Sequence, residues 1–435
     1  YDLIGFGLSK TEYALSTGAA FAPASSQAIF SADQGYNNNA RFPRLIVDVN
    51  GDGRSDILGF GNTKVQVSLS NGTSFTAPAT WSTQMTYGNG GWDNTKTIRS
   101  AADINGDGRS DIIGFGNSKV VYQLSEGDTF GSAQTLNGVF TTDAGYSTPE
   151  THPRYLADLN GDGLADIIGF KNAGIVEVAL SNGSGFGPVM RWTDRFVADS
   201  GDGWVPGRNP RFVSDLNGDG LTDLIGFRND DVIVAYSSGK SFTDPTVWTQ
   251  AFTYNHGGWD DLKGTLRTLG DVDGDRLPDI IAFGNSDTSF GINRLGRFDT
   301  TTFATIKNTF GYSSIARNPR FPADTIGAGI SALIGLADTQ VMVALPPSPT
   351  PDLLVGVVNE IGGTVAVTYA SIIDNSSVYV PASTEWTYPY RTLIGPMDVV
   401  SLHSIGDGLG GNYGYQHRYE GTVADVVEQG FLGFE

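Results

Sequence analysis

The segment Asp48-Val-Asn-Gly-Asp-Gly-Arg-Ser-Asp-Ile-Leu-Gly-Phe60 decides the fold, because it recurs along most of the chain. Further copies begin about 55 residues apart, and in the last of them Arg276 replaces the second glycine. The copies span residues 103–115, 158–170, 215–227 and 271–283. A degenerate copy starts at Asp324, and the chain opens on Asp2-Leu-Ile-Gly-Phe6, which matches the end of the motif. Repetition of this kind predicts seven copies of one structural unit.

Each repeat is predicted to contain four short strands and no helix. The run Ile-Leu-Gly-Phe is too short for a helix and indicates a buried strand. A second strand, such as Val65–Leu69, ends at a Ser-Asn-Gly turn. An aromatic residue such as Phe75 is expected to open a weaker strand, and the stretch from Arg44 to Asp48 supplies the strand that enters the next loop.

Strands in this order favour a radial arrangement, because it leaves few sheet edges unpaired. We therefore predict an all-β fold, with a seven-bladed β-propeller of four-stranded blades over residues 1–347. The first blade is expected to lack its entering strand and the last to lack its outer strand. Either the two ends complete each other around the ring, or the natural protein extends further upstream. An open solenoid is the alternative, but it requires caps that the sequence does not show.

Composition excludes several classes of protein. The 435 residues include no cysteine, which excludes disulfide scaffolds, thiolate zinc sites and cysteine catalysis. A net charge of −20 argues against a nucleic-acid partner. No apolar run approaches the roughly 18 residues of a membrane span. Asp outnumbers Glu by 38 to 9, and Asp is typical of turns and metal-binding loops.

The recurring loops are predicted to bind calcium. In the first loop, side-chain oxygens fall at positions 1, 3, 5 and 9, namely Asp48, Asn50, Asp52 and Asp56, and the carbonyl of Arg54 adds a fifth donor. Hard oxygen ligands on a glycine-rich loop suit Ca²⁺. An EF-hand is excluded because position 12 is glycine or alanine and strands flank the loop. Turns without metal are the alternative.

About five structural Ca²⁺ sites are expected, and the degenerate loop at Asp324 is expected to bind none. The corresponding ligands in the other four loops are Asp103, Asn105, Asp107, Arg109, Asp111, Asp158, Asn160, Asp162, Leu164, Asp166, Asp215, Asn217, Asp219, Leu221, Asp223, Asp271, Asp273, Asp275, Leu277 and Asp279.

The repeat resembles the FG-GAP or VCBS repeat of integrin-type propellers. Over residues 1–347, the connectors between repeats also resemble those of the fungal N-acetylglucosamine-binding lectins of the Psathyrella type. The matching stretches are Tyr87 with Gly90-Gly91-Trp92, Tyr254 with Gly257-Gly258-Trp259, His152-Pro153-Arg154-Tyr155, Asn209-Pro210-Arg211-Phe212 and Asn318-Pro319-Arg320-Phe321. This resemblance implies glycan sites between neighbouring blades.

Aromatic rings can stack on the apolar faces of sugars, and acidic side chains can accept hydrogen bonds from hydroxyl groups. The candidate glycan-binding residues are Tyr87, Trp92, Asp93, Trp204, Tyr254, Trp259 and Asp260. Only two connectors keep the full Gly-Gly-Trp-Asp form, so fewer sites than blades are expected. The alternative is that these rings fill the space between blades. For the arginine found four residues before each loop, we predict such a bridging role; these are Arg44, Arg99, Arg154, Arg211, Arg267 and Arg320.

No catalytic centre is predicted. The four histidines do not cluster in sequence, and glutamate is too scarce to suggest an acid and nucleophile pair. The propeller of sialidases carries a repeated Asp box, which here has only one imperfect match, at Ser31–Gly35.

The remaining residues, 348–435, are predicted to form a separate β segment after the stiff linker Pro346–Pro351. They resemble the segment after the propeller in the B component of Tc toxins and in SpvB and RHS proteins, through Val358-Asn359, Gly363-Thr364, Tyr413-Gly-Tyr415 and Gly430–Phe434. This resemblance implies a fragment of a longer secreted, cell-surface or toxin-associated protein. The partner is then a glycan or a glycosylated or toxin-complex protein, and a docking or gating propeller is the alternative to a lectin. A small free-standing β domain is the alternative for this segment.

Overall fold

The structure is a computed structural model that describes most of the chain. The described residues are 2–17, 20–171, 175–196, 204–205, 207–261, 264–284, 287–303, 318–325, 329–337, 340–346, 356–358, 364–371, 377–380, 390–392, 398–406, 411–425 and 430–434.

Within the described residues up to 346, antiparallel strands form seven successive sheets, and one 3-10 helix (Ala32–Gln34) follows the first sheet. The strands, sheet by sheet, are β1 (Leu3–Phe6), β2 (Thr11–Ala14) and β3 (Ser25–Gln27); β4 (Arg44–Val47), β5 (Asp56–Phe60), β6 (Val65–Ser68) and β7 (Ala79–Ser82); β8 (Arg99–Ala102), β9 (Asp111–Phe115), β10 (Lys119–Gln123) and β11 (Gln134–Asn137); β12 (Arg154–Ala157), β13 (Asp166–Lys171), β14 (Ile175–Ala179) and β15 (Met190–Thr193); β16 (Arg211–Ser214), β17 (Asp223–Phe227), β18 (Val232–Ala235) and β19 (Thr246–Thr249); β20 (Leu266–Gly270), β21 (Asp279–Phe283), β22 (Thr288–Asn293) and β23 (Phe298–Phe303); β24 (Arg320–Ala323), β25 (Ala332–Leu336) and β26 (Val341–Ala344).

The second strand of each four-stranded sheet is the buried Asp-Ile-Ile-Gly-Phe motif. Strand β5 is buried along its whole length, because sheets pack against both of its faces. The arginine strand pairs with it in a fixed register, in which Arg44 lies opposite Gly59 and Val47 opposite Asp56. The sequence prediction of four strands and no α-helix per repeat is confirmed for these sheets.

The start of the outer strand was predicted wrongly. Phe75 does not open it but forms an isolated bridge with Ser70, and β7 begins four residues later at Ala79. The Phe75 ring instead packs edge-on against Tyr13 of the preceding sheet, with ring centroids 5.3 Å apart. Packing between sheets therefore overrides the local strand preference.

Neighbouring sheets are joined by a repeated hydrogen bond. The donor is the side chain at or just after the end of the third strand of a sheet. The acceptor is the backbone carbonyl of the residue that follows the first loop aspartate in the preceding sheet. Ser125 Oγ, for example, donates to Val49 O at 2.5 Å. The same bond joins Ser181 to Ile104, Ser237 to Leu159 and Asn293 to Leu216. Ser16 Oγ of the first sheet makes it to Thr325 O of the seventh, at 2.6 Å. The first and seventh sheets are therefore neighbours.

Five of the recurring arginines hydrogen-bond to the preceding repeat, as the sequence predicted: Arg99, Arg154, Arg211, Arg267 and Arg320. Among the described residues, Arg44 donates instead to Phe30 and Asn39 of its own connector. Arg211, which is 6% exposed, donates to the carbonyl of Phe196 in its own connector at 2.7 Å and to that of Thr151 in the preceding connector at 2.9 Å. Its guanidinium also lies 4.9 Å from the ring centroid of Phe170 in the preceding sheet. Burial lowers the pKa of Arg211 to about 10, so the side chain stays charged at neutral pH.

The residues after the linker form three small sheets. Strands β27 (Gly356–Val358), β28 (Thr364–Ser371), β31 (Asp398–Gly406) and β32 (Asn412–Gln416) make one antiparallel sheet. The others pair β29 (Tyr379–Val380) with β33 (Tyr419–Glu420), and β30 (Tyr390–Thr392) with β34 (Thr422–Asp425) and β35 (Gly430–Phe434). The predicted domain boundary at 347–348 lies outside the described residues.

Replacement of a bridging arginine should destabilise the whole set of sheets. Arg211→Met leaves the carbonyls of Phe196 and Thr151 without their donor, which should lower the free energy of unfolding by about 2 to 4 kcal/mol. Urea denaturation measures the effect. Arg191→Met is the matched control, because that guanidinium is largely exposed and its ion pair within the described part of the chain is with Asp194 on the surface. Equal stability of the two variants would contradict the bridging role.

Candidate functional site

The Asp loops adopt their turns through hydrogen bonds between their own groups. Asp48 accepts from the backbone N–H of Gly51 and of Gly53, each at 2.7 Å, and both glycines have positive φ. Asn50 then donates its side-chain amide to Asp52 at 3.0 Å. The loops that begin at Asp103, Asp158 and Asp215 repeat these bonds. The same hydrogen bonds therefore close the turn in four loops.

The aspartate at position 9 lies deeper than the others. Asp56 is fully buried, and its two oxygens accept from the backbone N–H groups of Val49 and Ser70, at 3.2 and 2.7 Å. Burial raises the pKa of this carboxyl group to about 6. In the other four loops burial raises the pKa of Asp111, Asp166, Asp223 and Asp279 to about 7. This residue thus ties each loop to the end of the third strand.

The donor set of the loops fits a hard divalent cation. In the fifth loop, carboxylate oxygens of Asp271, Asp273 and Asp275 all lie within 4.8 Å of one another. Arg294 places a guanidinium nitrogen 3.0 Å from Asp273 and so neutralises part of the charge of this cluster. In the first two loops, Arg54 and Arg109 pair in the same way with the aspartate at position 5. Calcium in the five loops remains a prediction.

Two of the predicted sugar-stacking rings are buried instead. Trp92 and Trp204 are only 8% and 4% exposed, and both belong to the packing between sheets. A Cβ atom added to Gly114 would lie 2.7 Å from the Trp92 ring, and the Trp204 ring covers Gly226 in the same way. The prediction that these two rings offer a free face to a ligand is therefore wrong. Trp259, beside Gly284, is half-buried.

The other candidate residues form two similar clusters of side chains where neighbouring connectors meet. In the first cleft, the Arg41 guanidinium lies over the Tyr87 ring, 4.7 Å from its centroid, and 3.4 Å from a carboxylate oxygen of Asp93. In the second cleft, Arg208 lies 4.1 Å from the Tyr254 centroid and 3.6 Å from Asp260. We call these the Arg41 cleft and the Arg208 cleft.

Backbone hydrogen bonds join the two connectors at each cleft. In the Arg41 cleft, the N–H of Asn94 donates to Ala40 O at 2.8 Å, and Thr97 Oγ1 accepts from the N–H of Asp93. In the Arg208 cleft, the N–H of Asp261 donates to Gly207 O at 2.7 Å, and Thr265 takes the place of Thr97. Two consecutive glycines with positive φ precede the tryptophan in both connectors.

The guanidinium groups of the clefts remain accessible to a ligand, whereas the Asp260 carboxylate is buried. Arg41 and Arg208 keep 47% and 36% of their side-chain surface exposed. Hydrogen bonds from Thr95 and from Arg41 lower the pKa of Asp93, which is therefore ionised at neutral pH. Each cleft combines an aromatic ring, a fork of N–H donors and a carboxylate, a set of groups that suits a ligand rich in hydroxyl and amide groups.

Sequence analysis did not identify Arg41 and Arg208. Each stands three residues before one of the recurring arginines, at a position that holds Lys96, Thr151, Gly264 and Arg317 in the other repeats. The signal in the sequence was that this position varies between repeats, whereas the arginine three residues later does not. The histidines do not cluster in the sequence, and no contact between them was predicted. In the structure, strands β31 and β32 bring His403 Nδ1 within 2.7 Å of His417 Nε2.

Comparison with known proteins agrees with these features. Residues 48–113 and 103–169 match the FG-GAP-like repeat family. An Agrocybe aegerita lectin, solved to show its specific recognition of non-reducing terminal N-acetylglucosamine, is 32% identical with a TM-score of 0.74. The match covers 80% of this chain and 88% of the lectin. The chain therefore belongs to the same protein family as this lectin.

A second group of solved structures shares the fold. In the Photorhabdus luminescens Tc holotoxin pore, one chain matches with a TM-score of 0.59 at 18% identity. A TcdB2-TccC3 structure without its hypervariable C-terminal region matches with a TM-score of 0.50 at 17% identity. Each match covers 98% of this chain but 20% of the toxin chain, so the chain spans about a fifth of those proteins. No curated protein matches the chain. Among the described residues, no helix is long and apolar enough to cross a membrane.

Proposed function

We propose that the chain is a non-catalytic, seven-bladed β-propeller that is stabilised by calcium and binds glycans. The observation that carries this proposal is the pair of Arg41 and Arg208 clefts, which have the same composition at equivalent places in the repeat. Membership of the lectin family makes terminal N-acetylglucosamine the first ligand to test. The hydrogen bond from Ser16 to Thr325 supports a closed ring.

The clefts explain how a neutral sugar could be held. The guanidinium and the carboxylate can donate to and accept from hydroxyl and amide groups, while Tyr87 or Tyr254 offers apolar surface beside them. The two clefts belong to repeats that are three sheets apart, so they do not overlap. Two weak sites on one rigid scaffold would give avidity for a surface that displays many sugars. Such a role fits a secreted, cell-surface or toxin-associated protein.

A docking or gating propeller of a Tc-type toxin complex is the second candidate. The observation in its favour is that the Tc match extends over nearly the whole chain, including the sheets after the linker, whereas the lectin match covers 80%. In that case the partner would be a protein of the toxin complex. The net charge of −20 disfavours nucleic acid under either proposal.

Removal of the cleft tyrosines should abolish sugar binding without unfolding the protein. Titration calorimetry with N-acetylglucosamine oligomers should give two sites in the natural chain, one in Tyr87→Ala or Tyr254→Ala and none in the double variant. Tyr413→Ala is the matched control, because it removes a tyrosine that is 64% exposed and lies outside the clefts. Unchanged binding in the double variant would rule out the clefts. If the chain binds no sugar on a glycan array but binds a toxin-complex protein stably, the second candidate is favoured.

Calcium should stabilise the fold independently of sugar binding. A loop that is saturated at 100 times its dissociation constant gains about 2.7 kcal/mol, so millimolar Ca²⁺ should raise the melting temperature by several degrees over an EDTA-treated sample. The variant Asp48→Ala with Asp52→Ala removes two donors of one loop and should bind one ion fewer by calorimetry. The same melting temperature in Ca²⁺ and EDTA, with no heat of binding, would contradict structural calcium.

A further inference from the structure

Two of the chain's four histidines meet on one face of the sheet that contains β31 and β32. His403 lies in β31, and His417 directly follows β32. The pairing of the strands places His403 opposite Tyr415, and the N–H of His417 donates to Ser401 O at 3.0 Å. Side chains two residues apart on a strand share a face, so His417 lies on the face that carries Tyr415 and His403. The backbone therefore fixes the approach of the two imidazole rings.

The two imidazole rings meet at their edges. His403 Nδ1 lies 2.7 Å from His417 Nε2, while the ring centroids are 4.9 Å apart and the ring planes differ by 26°. A contact this short between ring nitrogens needs an N–H on one and a lone pair on the other, so the two rings share one proton there. Both nitrogens therefore point into the same small volume.

Tyrosine rings on both sides orient the histidine pair. Tyr415 stacks on His403, with centroids 4.8 Å apart and planes within 13° of parallel. Tyr419 lies beside His417 with centroids 6.4 Å apart, and its hydroxyl group donates to Val400 O at 2.9 Å. Both histidines are half-buried and Tyr415 is 49% exposed, so solvent reaches this row of rings. The two imidazoles are therefore held in orientation and remain accessible to an ion.

Two converging imidazole nitrogens have the geometry of a pair of metal ligands. Zinc–nitrogen bonds of about 2.0 Å at a tetrahedral angle place two nitrogen ligands about 3.3 Å apart. The observed 2.7 Å is slightly shorter, so a small rotation of either ring admits an ion, once the shared proton has moved to the other nitrogen of its ring. Imidazole suits Zn²⁺, Cu²⁺ and Ni²⁺, whereas the carboxylates of the Asp loops suit Ca²⁺.

We propose that His403 and His417 bind one transition-metal dication of the Zn²⁺, Cu²⁺ or Ni²⁺ class. Within the described part of the chain, no aspartate, glutamate or third histidine lies close enough to join them as a ligand. Water molecules or a donor from another molecule therefore complete the coordination. The site shares no residue with the Asp loops or with the Arg41 and Arg208 clefts, so it does not depend on calcium or sugar binding.

Metal binding to the full chain without a histidine tag tests this proposal, with millimolar Ca²⁺ present to occupy the Asp loops. Electron spin echo modulation of bound Cu²⁺ detects the remote nitrogen of each coordinated imidazole and should count two in the natural chain. His403→Gln and His417→Gln should each leave one coordinated imidazole. Each variant should also weaken Zn²⁺ binding, measured by calorimetry, at least about tenfold, because loss of a ligand costs no less than loss of a group that orients one.

A matched control and a second readout make the test specific. His256→Gln removes an exposed histidine whose Nδ1 contacts Thr253, so it should bind both metals as the natural chain does. Proton NMR of the natural chain does not depend on whether the variants fold. There Zn²⁺ should shift the ring signals of His403 and His417 and leave those of His152 and His256 in place.

The outcomes separate cleanly. Two coordinated imidazoles in the natural chain and in His256→Gln, with ring shifts confined to His403 and His417, would support the proposal. Fewer than two coordinated imidazoles in the natural chain would overturn it, as would ring signals of His403 and His417 that Zn²⁺ does not shift. Equal Zn²⁺ affinity in all four proteins would place the ion elsewhere and would also overturn it.

Discussion

The structure depends on a buried arginine that hydrogen-bonds to two connectors at once. A buried cation is costly unless its N–H groups are satisfied, and the carbonyl groups that satisfy Arg99, Arg154, Arg211 and Arg267 come from two neighbouring repeats. Neither repeat can supply all of these acceptors alone. Each sheet therefore becomes stable only when its neighbour is in place, which couples the sheets along the chain.

The same arginines account for an unusual backbone conformation in the connectors. Phe30, Met85, Phe140, Phe196 and Phe252 all have positive φ, which bulky side chains rarely adopt. In each case the carbonyl of that residue accepts a hydrogen bond from the arginine. Strain in one part of the connector is thereby offset by satisfying a buried charge in another. The connector is rigid as a result, and it positions the residues of the Arg41 and Arg208 clefts.

Local pattern was enough to predict the parts of the fold that repeat. The spacing of the aspartates predicted a series of antiparallel sheets, and the constant arginine in register with the motif predicted its bridging role. Features that depend on packing between repeats were either not predicted or predicted wrongly. Trp92 and Trp204 are buried because the strand glycines of the following sheet, Gly114 and Gly226, make room for them. The sequence of a single connector does not show that its tryptophan packs against a glycine of the following sheet.

The candidate site illustrates the same division. Tyr87 and Asp93 were predicted from their own connector, but Arg41 belongs to the one before it and joins them only through packing between sheets. The pair formed by His403 and His417 likewise arises from the register of two strands. A sequence pattern therefore identifies half of each cleft, and the arrangement of neighbouring repeats supplies the other half.

The central claim, that the repeats close into a ring, can be tested directly by electron spin resonance distances. Lys10, Lys64, Lys119 and Gln340 close the same turn in the first, second, third and seventh sheets, all are exposed, and the chain has no cysteine to interfere with labelling. Spin labels on the pair Lys10→Cys and Gln340→Cys should give the same distance distribution as labels on the neighbouring pair Lys64→Cys and Lys119→Cys. A distance several times longer, of roughly 60 Å for six sheets stacked about 10 Å apart, would contradict the ring.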